Sequence, residues 1–343
     1  MRPVNRDGFE IAIICALPFE ADPIEALFEE PYDKFGRIYG KQYGDHNTYF
    51  TGRIGQHHVV LCFLPDMGKG SAAAAASNLR MSYKNIQLAL VVGVCGGNPF
   101  PTGGGEIILG DVIISNSVVQ YDFGKQNPDG FRPKSDVMDT LGRPIPEIRS
   151  FLRALSGRNT LRDLQREASA YLHALQKDPE QWKSPGIEHD VLFEASHRHK
   201  HYRLDKKAPC ICIECNSDAD AVCDAASKGD CTTLGCSGGI IRRTRLDTGA
   251  TDLRVHIGKV ASADTVMQSG SHRDKIAAAE DVIAFEMEGA GVWDNLPCII
   301  IKGVCDYADS HKNKHWQDYA AATAASVSKA FLQNWRPVAF ESC

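Results

Sequence analysis

The chain has 343 residues, enough for one large domain or two smaller ones with an ample core. Hydrophobic residues at 43% and charged residues at 24% exclude a disordered class, and a net charge of -5 argues against a protein that holds nucleic acid by bulk electrostatics. No apolar run reaches the ~18 residues that cross a bilayer, and the polar start Met1–Glu10 does not read as a cleaved signal. A cytoplasmic protein with neither a nucleic-acid nor a membrane partner is expected.

Ile11–Leu17 (IAIICAL) is a continuous apolar run of the kind found in strands buried on both faces, ended by Pro18. A short helix is expected from Ala21 to Glu30. His58–Leu64 (HVVLCFL) reads as a second strand, followed by Gly68-Lys69-Gly70 and an alanine-rich helix from Ser71 to Met81. Leu88–Val94 (LALVVGV) is a third strand, ending at Gly96-Gly97, and Asp111–Val119 a fourth. Arg254–Ile257, Val282–Phe285 and Cys298–Val304 (CIIIKGV) follow as strands, with helices opening at Gly289 and over Tyr319–Leu332. Strands alternating with helices imply an α/β fold with a largely parallel sheet, which presents ligands at the carboxyl ends of its strands. From about Lys125 to Asp252 the pattern changes. Buried strands stop, charge rises, six cysteines crowd together, and Ile145–Gln176 looks like a pair of polar amphipathic helices. The expected organisation is one α/β domain, residues 8–125 and 253–335, interrupted by a cysteine-rich, charged insertion at 126–252.

Polar residues stand at the strand ends. Glu20 follows the first strand, the segment Gly93–Gly97 (GVCGG) ends the third, Phe285–Gly289 (FEMEG) ends the sixth, and Asp306 follows the seventh. Each alone has a bland explanation: an acid after a strand often caps a helix and a glycine pair usually makes a turn. Two acids beside one apolar strand are harder to dismiss, because an extended FEMEG puts Glu286 and Glu288 on one face. A carboxyl at a buried strand end, as at Asp306, can be shifted toward the working range of a general acid. The expectation is a site lined by carboxylates.

The ordered motifs ALPFEAD, MGKGSAAAA, VVGVCGG, LGDVIIS, FEMEGAG and CDYAD resemble the nucleoside phosphorylase and nucleosidase superfamily, above all its fungal purine-type members. The resemblance covers roughly residues 8–125 and 253–335 and also the insertion, which looks typical of that fungal group, and it implies a three-layer fold with a central mixed, largely parallel sheet flanked by helices. It also implies roles. Glu288 matches the glutamate that holds the ribose hydroxyls, Met287 the methionine beneath the sugar, and Asp306 the aspartate that shares or donates a proton at purine N7. A departing purine anion leaves poorly, so N7 protonation lets it leave as a neutral base, while a nearby carboxylate favours the oxocarbenium-like transition state. Trp316 falls where relatives keep an aromatic residue near the sugar's 5′ end, or is a packed tryptophan at a helix start. Val94, Cys95, Gly96, Phe285 and Glu286 complete the expected binding motifs. Val94 stands where hydrolytic relatives often have serine, and Val266 where some have a base-stacking phenylalanine.

Phosphate-using relatives carry arginines after the first strand and within the third, since guanidinium grips phosphate oxygens bidentately. Here those positions hold Glu20 and Val91. A carboxylate at the first position resembles the hydrolytic branch, where it positions and deprotonates water. The resemblance therefore implies a purine nucleosidase acting on adenosine, inosine or guanosine, with Glu20 as base, no cofactor for catalysis, and a homo-oligomeric assembly. Cleavage of ATP or another purine nucleotide in a defence role, a phosphate-dependent phosphorylase, and a nucleotide-sensing module without turnover are the alternatives. The basic runs His197–Arg203 with Lys206 and Lys207, and Arg242, Arg243 and Arg245, are either solvated loops or groups reaching for a 5′-polyphosphate.

Of twelve cysteines, the set Cys212-x2-Cys215 and Cys231-x4-Cys236 has a zinc-ribbon-like spacing, so a structural zinc is expected there. Cys210 and Cys223 are left over, and sets that include them or a histidine from His197–His201 fit equally well. Three disulfides are disfavoured in a cytosolic setting, and free thiols are the plain alternative.

Overall fold

The computed structural model describes residues 2–128, 130–134, 140–177, 180–203, 210–216, 220–312 and 314–336. Lys206, Lys207 and Cys343 lie outside them. The strands are β1 (Ile11–Cys15), β2 (Glu30–Lys34), β3 (Thr48–Ile54), β4 (His57–Phe63), β5 (Leu88–Gly97), β6 (Val112–Gln120), β7 (Gly124–Asn127), β8 (Gly130–Pro133), β9 (Val255–Ser262), β10 (Val282–Glu286) and β11 (Cys298–Asp306). Nine of them form one mixed sheet in the order β10-β9-β6-β11-β5-β1-β4-β3-β2, while β7 and β8 pair as a separate hairpin.

The apolar runs become the parallel centre of this sheet. β1 lies between β4 and β5, with Ile13 opposite both Leu61 and Leu90. β11 runs parallel to β5, from Cys298 opposite Ala89 to Asp306 opposite Gly96, with an irregularity between Val304 and Asp306. These strands read as unbroken hydrophobic stretches because helices cover both faces, and each fully buried aliphatic side chain is worth about 1.5–3 kcal/mol. The sheet also curls, since β10 pairs antiparallel with β5 through Ala284–Gly97 and Phe285–Gly96. That curl gathers the ends of β5, β10 and β11.

Helix α1 (Pro18–Ala26) starts earlier than the sequence pattern suggests, because proline is well suited to a first helical turn, where its missing N–H is not needed. The chain then enters β2, an edge strand of sequence EPYDK whose charge and proline hide it from hydrophobic patterning. Helix α2 (Lys69–Ser82) buries Ala72, Ala75, Ala76 and Leu79. It packs on the short helix Gly289–Trp293, where a Cβ on Gly291 would stand 2.1 Å from the Lys69 carbonyl oxygen, so close approach requires glycine there.

The segment 126–252 divides in two. Helices α3 (Pro146–Leu155) and α4 (Arg158–Leu175) place Ile148, Leu152, Leu155, Leu164, Ala168, Leu172 and Leu175 in the same core as Ile11, Ile13 and the closing helix Gln317–Asn334. Their sparse apolar positions recur at three- and four-residue steps, which is one helical face, so a mostly polar sequence still docks firmly. The remainder forms a small lobe whose own cluster contains Cys212, Ala226 and Leu234. No helix among the described residues is long and apolar enough to cross a membrane.

Candidate active site

Glu20 lies in the first turn of α1 and is 2% exposed. Its Oε2 accepts hydrogen bonds from the backbone N–H of Ala16 and Leu17, both at 3.0 Å, and its Oε1 accepts from the N–H of Val94 at 2.8 Å. A Cβ on Gly93 would come 2.1 Å from Oε1, so the glycine of VVGV is what lets the carboxylate reach β5. Burial raises the Glu20 carboxyl above its ordinary range and Glu288 adds to this, while Lys302 and the backbone donors oppose it.

Lys302 was not anticipated as a site residue. It sits within β11 opposite Gly93, and its side chain is 2% exposed. Its Nζ donates to Glu288 Oε2 at 2.9 Å and lies 4.0 Å from Glu20 Oε1. Burial pulls its ammonium down, yet Glu288, Glu20 and Glu286 together reverse that and hold it above the usual lysine range. The other oxygen of Glu288 accepts the Gly68 N–H at 3.4 Å, which brings the MGKG motif to the same point. Lys302→Met leaves two buried carboxylates without their cation. Unfolding in denaturant is expected to show a loss of about 3–5 kcal/mol, as when one partner of a buried pair is removed.

The FEMEG segment is not extended throughout. The strand stops at Glu286, whose Oε2 accepts the N–H groups of Glu288 and Gly289 at 2.9 and 2.8 Å. The alternation expected for Glu286 and Glu288 is therefore replaced by a turn in which Glu286 caps and Glu288 faces Lys302. Met287 between them is half-buried, and Phe285 packs edge-on against Tyr121.

Asp306 ends β11, four residues beyond Lys302, at most roughly 13 Å along an extended chain. Its Oδ1 accepts the Ala308 N–H at 2.8 Å and its Oδ2 lies 2.9 Å from Lys312 Nζ. Burial pulls the Lys312 ammonium down and Asp306 more than restores it, so the net direction is upward. The side chains of Asp306 and Lys312 are 13% and 26% exposed, so the cluster opens to solvent on their side. Cys95 is buried opposite Val304 of β11, and burial is the chief cause that raises its thiol. The loop after Asp306 is clamped by the 126–252 segment, where Tyr307 donates to Asp190 at 2.5 Å and accepts from Arg243 at 2.7 Å, and by the helix Gly270–Glu280, whose Arg273 donates to the Tyr307 carbonyl at 2.7 Å.

A family model described as the phosphorylase superfamily matches residues 10–172. That match takes in strands β1 to β8 and helix α3, so the first half of the chain is similar to that superfamily. A nucleotide-binding leucine-rich repeat (NLR)-like protein of Hyaloscypha variabilis is 30% identical over 334 residues, which is 95% of this chain and 29% of that protein. A 5′-methylthioadenosine/S-adenosylhomocysteine nucleosidase of Maridesulfovibrio salexigens is 34% identical over 114 residues, 33% of this chain and 42% of that protein. The chain thus spans less than half the length of either relative. Among solved structures, a futalosine hydrolase of Helicobacter pylori superposes with a TM-score of 0.53 at 16% identity, covering 96% of this chain and 99% of its own. A Helicobacter pylori MTAN mutant with 5′-methylthioadenosine in its active site gives 0.55 at 14% identity, covering 96% and 100%. At such identities these two share the fold, a mixed α/β arrangement of a central sheet and helices.

Other expected residues lie elsewhere. Val266 is 45% exposed on the loop after β9. Trp316 is buried at the start of the closing helix, beside Tyr319, and its indole N–H donates to the His189 carbonyl at 3.2 Å, not to a carboxylate. The basic runs are split: Arg203 and Arg242 are exposed, as a solvated loop would have them, whereas three of their cations are tied up inside the protein. Lys200 is buried and donates to the carbonyls of Ile213 and Cys215, Arg243 is buried over Tyr307, and Arg245 is paired with Asp111. The quartet Cys212, Cys215, Cys231 and Cys236 does not form either. Cys212 gathers with His201, Cys210 and Cys223, whereas Cys231 and Cys236 gather with His199 and His311. Cys215 instead donates to the Ala221 carbonyl. Spacing along the chain could not reveal this, because His311 enters from beyond β11. The hollow lined by Phe100, Glu106, Thr244, Arg245 and Arg254 contains none of the site carboxylates.

Proposed function

We propose that the chain is a nucleosidase that hydrolyses the N-glycosidic bond of a purine nucleoside (adenosine, inosine or guanosine) to free base and ribose. The observation that carries this is the environment of Glu20. A carboxylate has about four lone-pair positions, and three of Glu20's are taken by backbone N–H groups. The remaining one is on Oε1, 4.0 Å from Lys302 Nζ. A water about 2.8 Å from each would sit at the corner of a right-angled triangle, oriented by the lysine and deprotonated by the glutamate. Glu288, held by Lys302, would take the ribose hydroxyls and stabilise the developing cation. Asp306, with Lys312 on its outer oxygen, would supply the proton at N7.

Phosphate suits this spot less well than water. The single cation is already bonded to Glu288, and a phosphate dianion would face two carboxylates in a site of low polarity. A purine nucleotide such as ATP is a second reading. It is supported by 30% identity, over 95% of this chain and 29% of the relative, to a nucleotide-binding leucine-rich repeat (NLR)-like protein, and it would suit a defence role.

Product analysis by chromatography, with adenosine, inosine, guanosine, AMP and ATP in the presence and absence of phosphate, tests both. Free base and free sugar, formed equally well without phosphate, are expected. A 1-phosphorylated sugar formed only with phosphate would remove the role given to Glu20.

A further inference from the structure

Two groups of sulfur and imidazole side chains stand in the lobe after α4, apart from the carboxylates. His199, Cys231, Cys236 and His311 form one, and His201, Cys210, Cys212 and Cys223 the other. Within each group the ligand atoms all lie within 4.8 Å of one another. A tetrahedral zinc ion, with bonds of about 2.3 Å to sulfur and about 2.0–2.1 Å to nitrogen, needs edges of roughly 3.4 Å between nitrogens, roughly 3.6 Å between nitrogen and sulfur, and roughly 3.8 Å between sulfurs.

The first group meets these lengths closely. His199 Nδ1 and His311 Nδ1 are 3.4 Å apart, Cys231 Sγ is 3.6 and 3.5 Å from them, and Cys236 Sγ is 3.5 Å from His199 Nδ1. In the second, Cys212 and Cys223 sulfurs are 3.8 Å apart and His201 Nδ1 is 3.6 Å from Cys223 Sγ. Three further edges there are somewhat shorter: Cys212 lies 3.2 Å from His201 Nδ1, and Cys210 lies 3.3 and 3.4 Å from the other two sulfurs. In the first group the outer imidazole nitrogens are also spoken for. His199 Nε2 is 2.8 Å from the Gly229 carbonyl oxygen and His311 Nε2 is 3.1 Å from that of His197. An N–H at each Nε2 donates to its carbonyl and leaves Nδ1 with a free lone pair, the arrangement that orients histidine toward a metal.

We propose that the chain binds two structural zinc ions, one on His199, Cys231, Cys236 and His311 and the other on His201, Cys210, Cys212 and Cys223. Four protein ligands in each set leave no open position, so neither ion activates water. The first ion has a further consequence. His311 lies between Asp306 and Lys312, so its metal bond fastens the lobe to the loop that carries both, reinforcing the Tyr307 clamp. This assignment stands whatever the carboxylate site cleaves.

Native mass spectrometry of the full chain, expressed with zinc in the medium and kept reduced, reads the outcome directly. Two zinc ions per chain are expected, falling to one in His311→Ala and to one in Cys223→Ser. On the unaltered protein, Cys210, Cys212, Cys223, Cys231 and Cys236 should resist alkylation until a chelator is added. A metal-free chain, ready alkylation of those thiols before chelation, or disulfides linking them would overturn the assignment. The wild-type count decides even if a variant fails to fold.

Discussion

Glu20→Gln is expected to lower kcat for nucleoside hydrolysis by about 10²–10⁴-fold, equivalent to about 2.7–5.5 kcal/mol of transition-state stabilisation. The pH dependence makes this specific. Burial raises the Glu20 carboxyl above its ordinary range, and a base works only when deprotonated. Turnover should therefore fall as pH drops through that raised value, with the acid limb above the usual glutamate range. The variant should lose the limb together with the rate. The same shift has a stability sign. A carboxyl raised by folding binds its proton more tightly folded than unfolded, so its ionised form works against folding above that value. Glutamine removes this burden but turns an amide N–H₂ toward one of the backbone donors. Thermal unfolding beside the kinetics separates the two effects, and a variant that keeps the wild-type rate and acid limb would sink the base assignment.

Asp306→Asn should cost about 10²–10³-fold in kcat with KM little changed, because the proton it handles matters as the base departs. Asparagine keeps an oxygen for the Ala308 N–H, so the turn survives, although its amide would meet the Lys312 ammonium where the wild type has an ion pair. The discriminating comparison is a riboside whose leaving group needs no proton, such as a nitrophenyl riboside. Its cleavage should be nearly unaffected by the substitution. Equal losses on both substrates would mean that Asp306 shapes the site and does not protonate the base.

The sheet centre was legible in the sequence because β1, β4, β5 and β11 are buried on both faces and carry unbroken apolar runs. What was hidden had the opposite chemistry. The edge strand β2 is polar, and the helix Gly270–Glu280, capped by Ser269, lies in a stretch with no clear apolar face. Lys302 shows the limit for the site itself. It was in plain view as the one charge inside CIIIKGV, a signal that deserved weight. A strand lysine usually reaches solvent, however, and the carboxylates that bury this one come from Glu288 and from Glu20, 282 residues away by subtraction of their numbers. The cysteine lobe fails for a related reason. Counting gaps between cysteines ignores His199, His201 and His311, which only the fold delivers.

The order of the sheet bears on how the protein comes into being. β11, the final strand of the described residues, does not add at an edge; it slots between β5 and β6 and is hydrogen-bonded to both. A nascent chain that has emerged only as far as β10 lacks the strand that fills the gap between these two, and apart from the Gly96–Gly97 end of β5, which meets β10, their facing edges remain open templates for pairing with other chains. It also lacks Lys302, so Glu20 and Glu288 have no cation between them. Completion of the sheet and assembly of the carboxylate site are then a single late event, and translation that stalls before residue 298 yields a chain with neither.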